Sequence, residues 1–341
     1  MKRKILLVRI SSLGDVVLTL PVIESIKQHL RDSQLDFLTG AQYTPLVEQF
    51  PGIEHVHAFD KGEPFPLKIL RNHQYDTVID LQKNPRSIIM TARINPKNVS
   101  SYPKRRWQRE LLVRQWPLKF RIGHTVDAYL LALARLKIPP ASRIPRLALG
   151  EQLISSAREF IDKAALDGKI IGLCPGSKHF EKRWSRFDEL ARLLLKDGNR
   201  SVIVFSDNND EFRADLNISS QRLIAARGLK FDLLAGIISR CDAVVTNDSG
   251  LMHLAVALGV PVAAIFGPTH PDLGFAPLGA RDIVICDHVG CSPCSLHGEK
   301  KCRMPHKYCF ENITPERIEK EVDGLINETG RGQILREASR Q

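Results

Sequence analysis

No stretch of about 18 uninterrupted apolar residues occurs in the 341-residue chain, which argues against a bilayer-spanning helix. The nearest candidate, Leu254 to Phe266, is broken by Gly259 and Pro261. No GxGxxG follows the first apolar run, which counts against a dinucleotide oxidoreductase. Short-period repeats are absent, as are the common RNA- and DNA-binding modules. Lys2, Arg3, Lys4 and the apolar run behind them imitate a secretion signal, yet Arg9 and Asp15 interrupt the run and no small-residue cleavage site follows. A cytoplasmic protein with reduced cysteines is the expectation. Acid is nearly missing from one segment: residues 83–121 carry eleven Lys and Arg and a single acid, Glu110.

What is present is ordinary for a folded protein, with 43% apolar and 26% charged residues, and wholesale disorder is excluded. At roughly 100–200 residues per domain the length suggests two domains. The formal charge of +11 is uneven: residues 1–150 hold 24 Lys+Arg against 12 Asp+Glu, and the remainder holds 25 against 26. A field of one sign attracts nucleic acid, an anionic membrane surface or a phosphorylated substrate, although a solvated basic surface without a partner gives the same tally.

Apolar runs alternate with helical patterns along the whole chain. Strands are expected at Lys4–Ile10, Leu35–Thr39, Val56–Phe59, Thr77–Leu81, Ile170–Cys174, Ser201–Phe205, Ala243–Thr246 and Val262–Phe266. The first is followed by a turn and one helix to about Leu30, and 125–138 reads as another helix. Pro139-Pro140 and Pro145 make 139–149 a stiff linker. Beyond it helices are expected at 151–166, 185–197, 231–239, 250–258 and 314–327. The alternation implies right-handed crossovers and parallel α/β sheets, doubly wound, in two Rossmann-like domains that face a cleft. We divide the chain at 1–145 and 146–330, with 331–341 as a tail.

Ligands of such sheets bind beyond the carboxyl ends of the strands, and four segments fall there. In Arg9-Ile10-Ser11-Ser12-Leu13-Gly14-Asp15, Gly14 permits close backbone approach, and Asp15 is either a helix N-cap or a base that takes a proton from a hydroxyl nucleophile. Cys174-Pro175-Gly176-Ser177-Lys178 with Lys182-Arg183-Trp184 offers hydroxyl, amide and ammonium groups suited to a diphosphate. The turn Thr246-Asn247-Asp248-Ser249-Gly250-Leu251-Met252-His253 aims the Ser249 and Gly250 amides at the cleft, with His253 one turn into the helix. His253 is either a core histidine or a ligand contact. Phe266-Gly267-Pro268-Thr269 closes the next strand.

Taken in order, these segments resemble the family 9 glycosyltransferases, which include bacterial ADP-heptose:lipopolysaccharide heptosyltransferases. The likeness runs from about residue 4 to 325. Ser-Ser-Leu-Gly-Asp-Val-Val resembles the first heptosyltransferase type, whereas Lys182-Arg183-Trp184 and Asn247–His253 resemble the second, towards which we lean. The resemblance implies a GT-B fold, with the acceptor on the N-terminal domain and the nucleotide-sugar on the C-terminal one. It implies inverting transfer of heptose from ADP-L-glycero-D-manno-heptose to the lipopolysaccharide inner core, with no catalytic metal and no cofactor beyond the donor. Asp15 matches the general base and Lys182 the lysine on the donor phosphates. Ser177, Lys178, Asp248, Ser249, Gly250 and His253 match donor positions, Lys178 standing where a small residue is more usual. Leu229 falls at an adenine contact, and the acidic ribose contact maps to Asp210 or Glu211. On the acceptor side we expect Ser12, Gly14, Lys83, Arg86, Arg105 and Arg121. Partners are then an anionic lipid-linked saccharide and the cytoplasmic face of the inner membrane, approached through Lys104–Arg106 with Trp107 and Trp116.

Other readings are a family transferase for another core sugar, a nucleic-acid binder stacking bases on Tyr102, Trp107 and Trp116, and an inactive nucleotide-sugar sensor. Retention of Asp15 and Lys182 argues against the sensor, and nucleic acid is not the expected partner. Cys291-x2-Cys294-x7-Cys302-x6-Cys309 has spacing that can hold structural zinc, or leaves free or redox-sensitive thiols. Cys174, Cys241 and Cys286 sit in apolar contexts and are expected in the core.

Overall fold

A computed structural model describes residues 2–60, 62–115, 122–207 and 220–327. Trp116, Arg121, Asp210, Glu211 and the 331–341 tail lie outside the described residues. The first half runs β1 (Lys4–Val8), α1 (Leu13–Val17), α2 (Leu20–His29), β2 (Gln34–Gly40), α3 (Thr44–Val47), β3 (Val56–Phe59), α4 (Leu67–Asn72), β4 (Thr77–Asp80), α5 (Pro85–Ile94), β5 (Asn98–Ser101), α6 (Arg106–Val113) and α7 (Thr125–Leu130). The second runs α8 (Glu151–Lys163), β6 (Lys169–Cys174), α9 (Phe187–Leu194), β7 (Arg200–Ser206), β8 (Leu223–Arg227), α10 (Phe231–Ile238), β9 (Ala243–Asn247), α11 (Gly250–Ala257), β10 (Val262–Phe266), β11 (Ile283–Cys286), α12 (Tyr308–Glu311) and α13 (Pro315–Asn327).

Every strand pairing is parallel, in two sheets ordered β3-β2-β1-β4-β5 and β11-β10-β9-β6-β7-β8. Central strands are covered on both faces, which is why β1 and β10 read as unbroken apolar runs with Ile5–Val8 and Val262–Phe266 buried. Apolar packing between the sheets is continuous: α1 residues Leu13, Val16 and Val17 share one cluster with Met252, Leu254 and Ala255 of α11. The linker is docked, since Leu147 is buried and its N–H donates to Ala257 O at 2.8 Å.

Four expectations change. The single helix after β1 is two, α1 and α2, because the Thr19 hydroxyl bonds back to Val16 O at 2.6 Å and Pro21 starts a fresh first turn. The 125–138 helix is α7 followed by a 3-10 stretch, Leu131–Leu136, that ends at left-handed Lys137. Strands β5, β8 and β11 are additional; they are short edge strands whose alternation is too brief to read. Cys286 ends the edge strand β11 and is only half-buried.

Candidate active site

The carboxyl ends of β1 and β9 lead into α1 and α11, and these two helices pack against each other. On the first side, Ser12 is the N-cap of α1 and Asp15 is the third residue of its first turn. Asp15 Oδ2 accepts Ser12 Oγ–H at 3.0 Å and Ser12 N–H at 3.3 Å, a capping interaction from inside the helix rather than from the cap position. The same oxygen pairs with Arg9 at 2.7 Å, while Oδ1 accepts the Tyr129 hydroxyl at 2.9 Å. Burial alone would raise this carboxyl; the Arg9 charge and the bonds from Tyr129 and Ser12 outweigh it and hold the pKa below the ordinary value. Asp15 is therefore ionised at neutral pH and fixed by three side-chain donors. Arg9 is itself buried, donates to Leu81 O and stands 5.6 Å from the Tyr129 ring centre.

On the second side, Asn247 at the end of β9 ties three segments together. Its amide donates to Pro175 O at 2.7 Å, and its carbonyl accepts Trp184 N–H at 3.1 Å. Trp184, almost fully buried, donates from its indole to Ile313 O at 2.9 Å. This staple holds the Pro175–Ser177 turn beside Lys182. The Lys182 ammonium meets Asp248 Oδ2 at 2.7 Å, and the Thr269 hydroxyl donates to that same oxygen at 2.8 Å. The aliphatic stem of Lys182 lies against Gly298, where an added Cβ would fall 2.2 Å from Cγ. Ser177 is buried and its carbonyl accepts two bonds from Arg183, at 2.8 and 3.0 Å, whereas Lys178 is exposed. Ser249 caps α11, its hydroxyl 3.2 Å from that of Thr246. Leu229 is half-buried between β8 and α10.

The sides meet at two glycines. A Cβ on Gly14 would lie 2.7 Å from the His253 ring and 3.3 Å from Gly250 Cα; one on Gly250 would lie 2.8 Å from Leu13 Cβ and 2.9 Å from Gly14 N. The close approach allowed by Gly14 is thus to α11. His253 is 5% exposed, and burial, with His124 nearby, pushes its pKa down to about 4 against the pull of Asp248 and Asp15. It is neutral at pH 7 and near enough to both carboxylates to feel their charge. The same contact is extended by His124, whose Nε2 lies 2.9 Å from Ala276 O while Nδ1 accepts Val126 N–H, by Thr125 N–H to Gly274 O at 2.8 Å, and by Arg109 over Phe275 at 4.6 Å.

The expected acceptor residues are more dispersed. Lys83 donates to Tyr102 O at 2.8 Å, and Arg105 is committed to Ile122 O. Arg86 is exposed and covers the stacked pair Phe59–Phe65, 5.1 Å from the Phe59 ring. Lys104, named only for the basic segment, is near enough to Arg9 and Asp15 to respond to both; burial, then Arg9, lowers its proton affinity. Sequence reasoning also left out Arg9, Tyr129, Asn247 and His297 as site residues. Arg9 carried a signal, a charge inside a strand that must find a partner; Tyr129 carried none. His297 is pushed down by burial, then pulled up by Glu299 and down by Lys182.

Cys291, Cys294, Cys302 and Cys309 line one cavity of about 20 Å³ together with Glu181, His306 and Lys307. Burial, then the neighbouring thiols, pushes Cys309 up to about 12. No three of these sulfurs lie within 4.8 Å of one another among the described residues. No helix among the described residues is long and apolar enough to cross a membrane.

Residues 67–307 match the family model described as glycosyltransferase family 9 (heptosyltransferase). A relative from Salmonella typhimurium, lipopolysaccharide heptosyltransferase 2, is 28% identical over 96% of this chain and 99% of its own. Among solved structures, a family 9 glycosyltransferase from Veillonella parvula superposes with TM-score 0.79 at 24% identity, over 96% of this chain and 98% of its own. The E. coli ADP-heptose heptosyltransferase II superposes with TM-score 0.75 at 24% identity, over 97% and 100%. The paired parallel sheets are the GT-B fold.

Proposed function

The chain belongs to glycosyltransferase family 9, and on that premise we propose that it moves heptose from ADP-heptose to the inner core of lipopolysaccharide. The observation that carries the reading is the meeting, across the Gly14–Gly250 contact, of an ionised carboxylate from one half and a Lys182–Asp248–Thr269 cluster from the other. Similarity to lipopolysaccharide heptosyltransferase 2 supports the substrate class and favours the second type of transfer, onto a heptosylated acceptor.

In this mechanism the acceptor hydroxyl approaches the anomeric carbon from the Asp15 side while the ADP β-phosphate leaves towards Lys182, so the anomeric configuration inverts. Asp15 is a weak base because Arg9 shares its charge. That suffices, since the nucleophile's proton becomes acidic only as its oxygen bonds to carbon, and the carboxylate then receives it in place. Negative charge building on the leaving diphosphate is met by Lys182, exchanging Asp248 for phosphate, and by the amides that open α11. Ser177, Lys178 and His253 complete the donor site, and Leu229 lies at the adenine. Ser12, Gly14, Lys83, Arg86 and Arg105 form the acceptor side, where the N-terminal excess of positive charge supports a phosphorylated saccharide.

Exposed Trp107 on α6 and exposed Ile88 and Ile89 on α5, flanked by Arg86 and Arg93, support seating at an anionic cytoplasmic membrane face. Recovery of the protein with anionic and zwitterionic vesicles alike, or with neither, overturns that part. The four-cysteine cavity supports a structural zinc, for which the thiols would have to draw together; a sulfur-ligated metal, lost in Cys302→Ser, is the expected result. Transfer itself is tested by presenting ADP-heptose and other nucleotide-sugars with Kdo–lipid A and heptosyl-Kdo–lipid A. Product from ADP-heptose on the heptosylated acceptor is expected; turnover with another nucleotide-sugar alone overturns the assignment.

A further inference from the structure

A second cluster of functional groups lies at the opposite end of the N-terminal sheet, outside the cleft. Asp36, third residue of β2, is 0% exposed. Its carboxylate is ringed by His55, just before β3, by His57 within β3, and by His73, which caps α4. Asp36 Oδ1 is 3.1 Å from His55 Nδ1, and Oδ2 is 3.3 Å from His73 Nδ1 and 3.7 Å from His57 Nε2. The Tyr75 hydroxyl donates to Oδ2 at 2.6 Å, and Gln34 donates to both oxygens at 3.1 and 3.2 Å. His57 Nε2 holds Tyr75 from behind at 2.8 Å. The imidazole of His73 lies 5.4 Å from that of His55 and 5.1 Å from that of His57, centre to centre.

We propose that Asp36, His55 and His73 bind a divalent transition-metal ion of the zinc class, with His57, Tyr75 and Gln34 as the shell that orients the carboxylate. Ligands at about 2.0–2.1 Å from a tetrahedral zinc stand roughly 3.3–3.4 Å apart. His55 Nδ1 is 3.1 Å from one carboxylate oxygen of Asp36 and His73 Nδ1 is 3.3 Å from the other, and one atom from each of the three residues lies within 4.8 Å of the others, close enough for a small shift to bring them onto one ion. Two imidazoles and one carboxylate leave a fourth position. His55, with about half its side chain exposed, opens that position to solvent and gives the ion a way in. The outer bonds to Asp36 are the kind that hold a metal ligand's orientation in advance.

Lys4, bonded through Nζ to His73 O at 3.0 Å, ties the segment before β4 to the start of β1. The ion would clip the starts of β2 and β3 to the segment that enters β4, so its effect is on the stability of the N-terminal half.

The test is a Co2+ and Zn2+ titration of the full chain. In Cys302→Ser, one cobalt per chain with visible tetrahedral absorption and no sulfur-to-cobalt band in the near ultraviolet is expected, displaced by zinc and absent when His73→Asn is added. The absent sulfur band separates this site from the cysteine cavity. Zinc should raise the melting temperature in Cys302→Ser as it does in the unaltered chain, and that rise should vanish in His73→Asn. If His73→Asn does not fold, His55→Gln, at the exposed edge, serves the same comparison. Cobalt bound only through sulfur, binding only at millimolar metal, or an unchanged response in the histidine variants overturns the proposal. Transfer rates of these variants should stay within two-fold of the unaltered chain.

Discussion

The two sides of the cleft each hold an aspartate paired with a cation at 2.7 Å, yet they are built for opposite behaviour. Arg9–Asp15 is a planar fork anchored in a buried strand, with Tyr129 and Ser12 completing the carboxylate's bonds. Lys182–Asp248 joins a point charge on a flexible stem to a carboxylate that also has Thr269. Arginine holds its geometry where a lysine ammonium can trade one oxygen for another. On the proposed mechanism, the first pair fixes the Asp15 carboxylate in place, and the second keeps a cation that would move to the donor phosphate. Breaking each pair should therefore fail in a different way.

The largest effect is expected on the fixed side. Asp15→Ala should remove transfer, by at least the roughly 10²–10⁴-fold associated with a positioned base, while ADP affinity measured by calorimetry changes little. Near-normal turnover would sink the base assignment. Lys182→Ala should lower kcat by about 10²–10³-fold, the scale of one lost transition-state contact, and should also weaken ADP binding, which Asp15→Ala does not. An equal loss of ADP affinity in both variants would erase the distinction between the sides.

Much of this contrast could be read from residues in sequence, and the remainder could not for identifiable reasons. The alternation of apolar runs with helical spacing gave the two parallel sheets because central strands need no polar face, as β1 and β10 illustrate. Asp15, Lys182, Asp248 and His253 stood in turns at strand ends, where chain geometry alone collects them. What holds them came from far away: Tyr129 is 114 residues from Asp15, and Asn247 is 63 from Trp184. No local pattern encodes such pairings. Gly14 was legible as a close-approach position, but only the folded chain shows that the approaching backbone belongs to α11. The Asp36 cluster was not legible, since its five polar neighbours come from three separate segments.

The contact between the sides also responds to pH. His253 and His124 are both buried with pKa values lowered to about 4, chiefly by burial. Unfolded histidines titrate near 6.5, so below that pH the unfolded chain binds protons that the folded one refuses. The contribution of these two histidines to stability is therefore full above about pH 6.5 and falls as pH drops towards 4, by up to about 3 kcal/mol for each group, while Asp282, raised to about 6 by burial, contributes in the opposite sense. Urea midpoints at pH 7.5 and 5.0 check this, and His253→Gln should flatten the slope. Asp15, held below its ordinary value, stays ionised through most of that window, so a loss of transfer above pH 5 would follow the loss of stability rather than protonation of this carboxylate.

The smallest and most discriminating effect concerns the glycine pair. Alanine gains about 1 kcal/mol over glycine in a helix, and crowding a packed contact costs about 1–3 kcal/mol, so the net sign depends on what the new methyl meets. At Gly14 it meets the buried His253 ring at 2.7 Å and Gly250 Cα at 3.3 Å; at Gly250 it meets Leu13 Cβ and Gly14 N, both closer than 3.0 Å. Gly250→Ala should be destabilised by about 1–2 kcal/mol, and Gly14→Ala by somewhat less while displacing His253 and slowing transfer. Both methyls push α1 and α11 apart along one line. Once either has opened the contact, the second should add little, so the double variant should be less destabilised than the two singles combined. Additive stabilities would mean that the helices yield independently, and that the two sides of the cleft are not held in register by this contact.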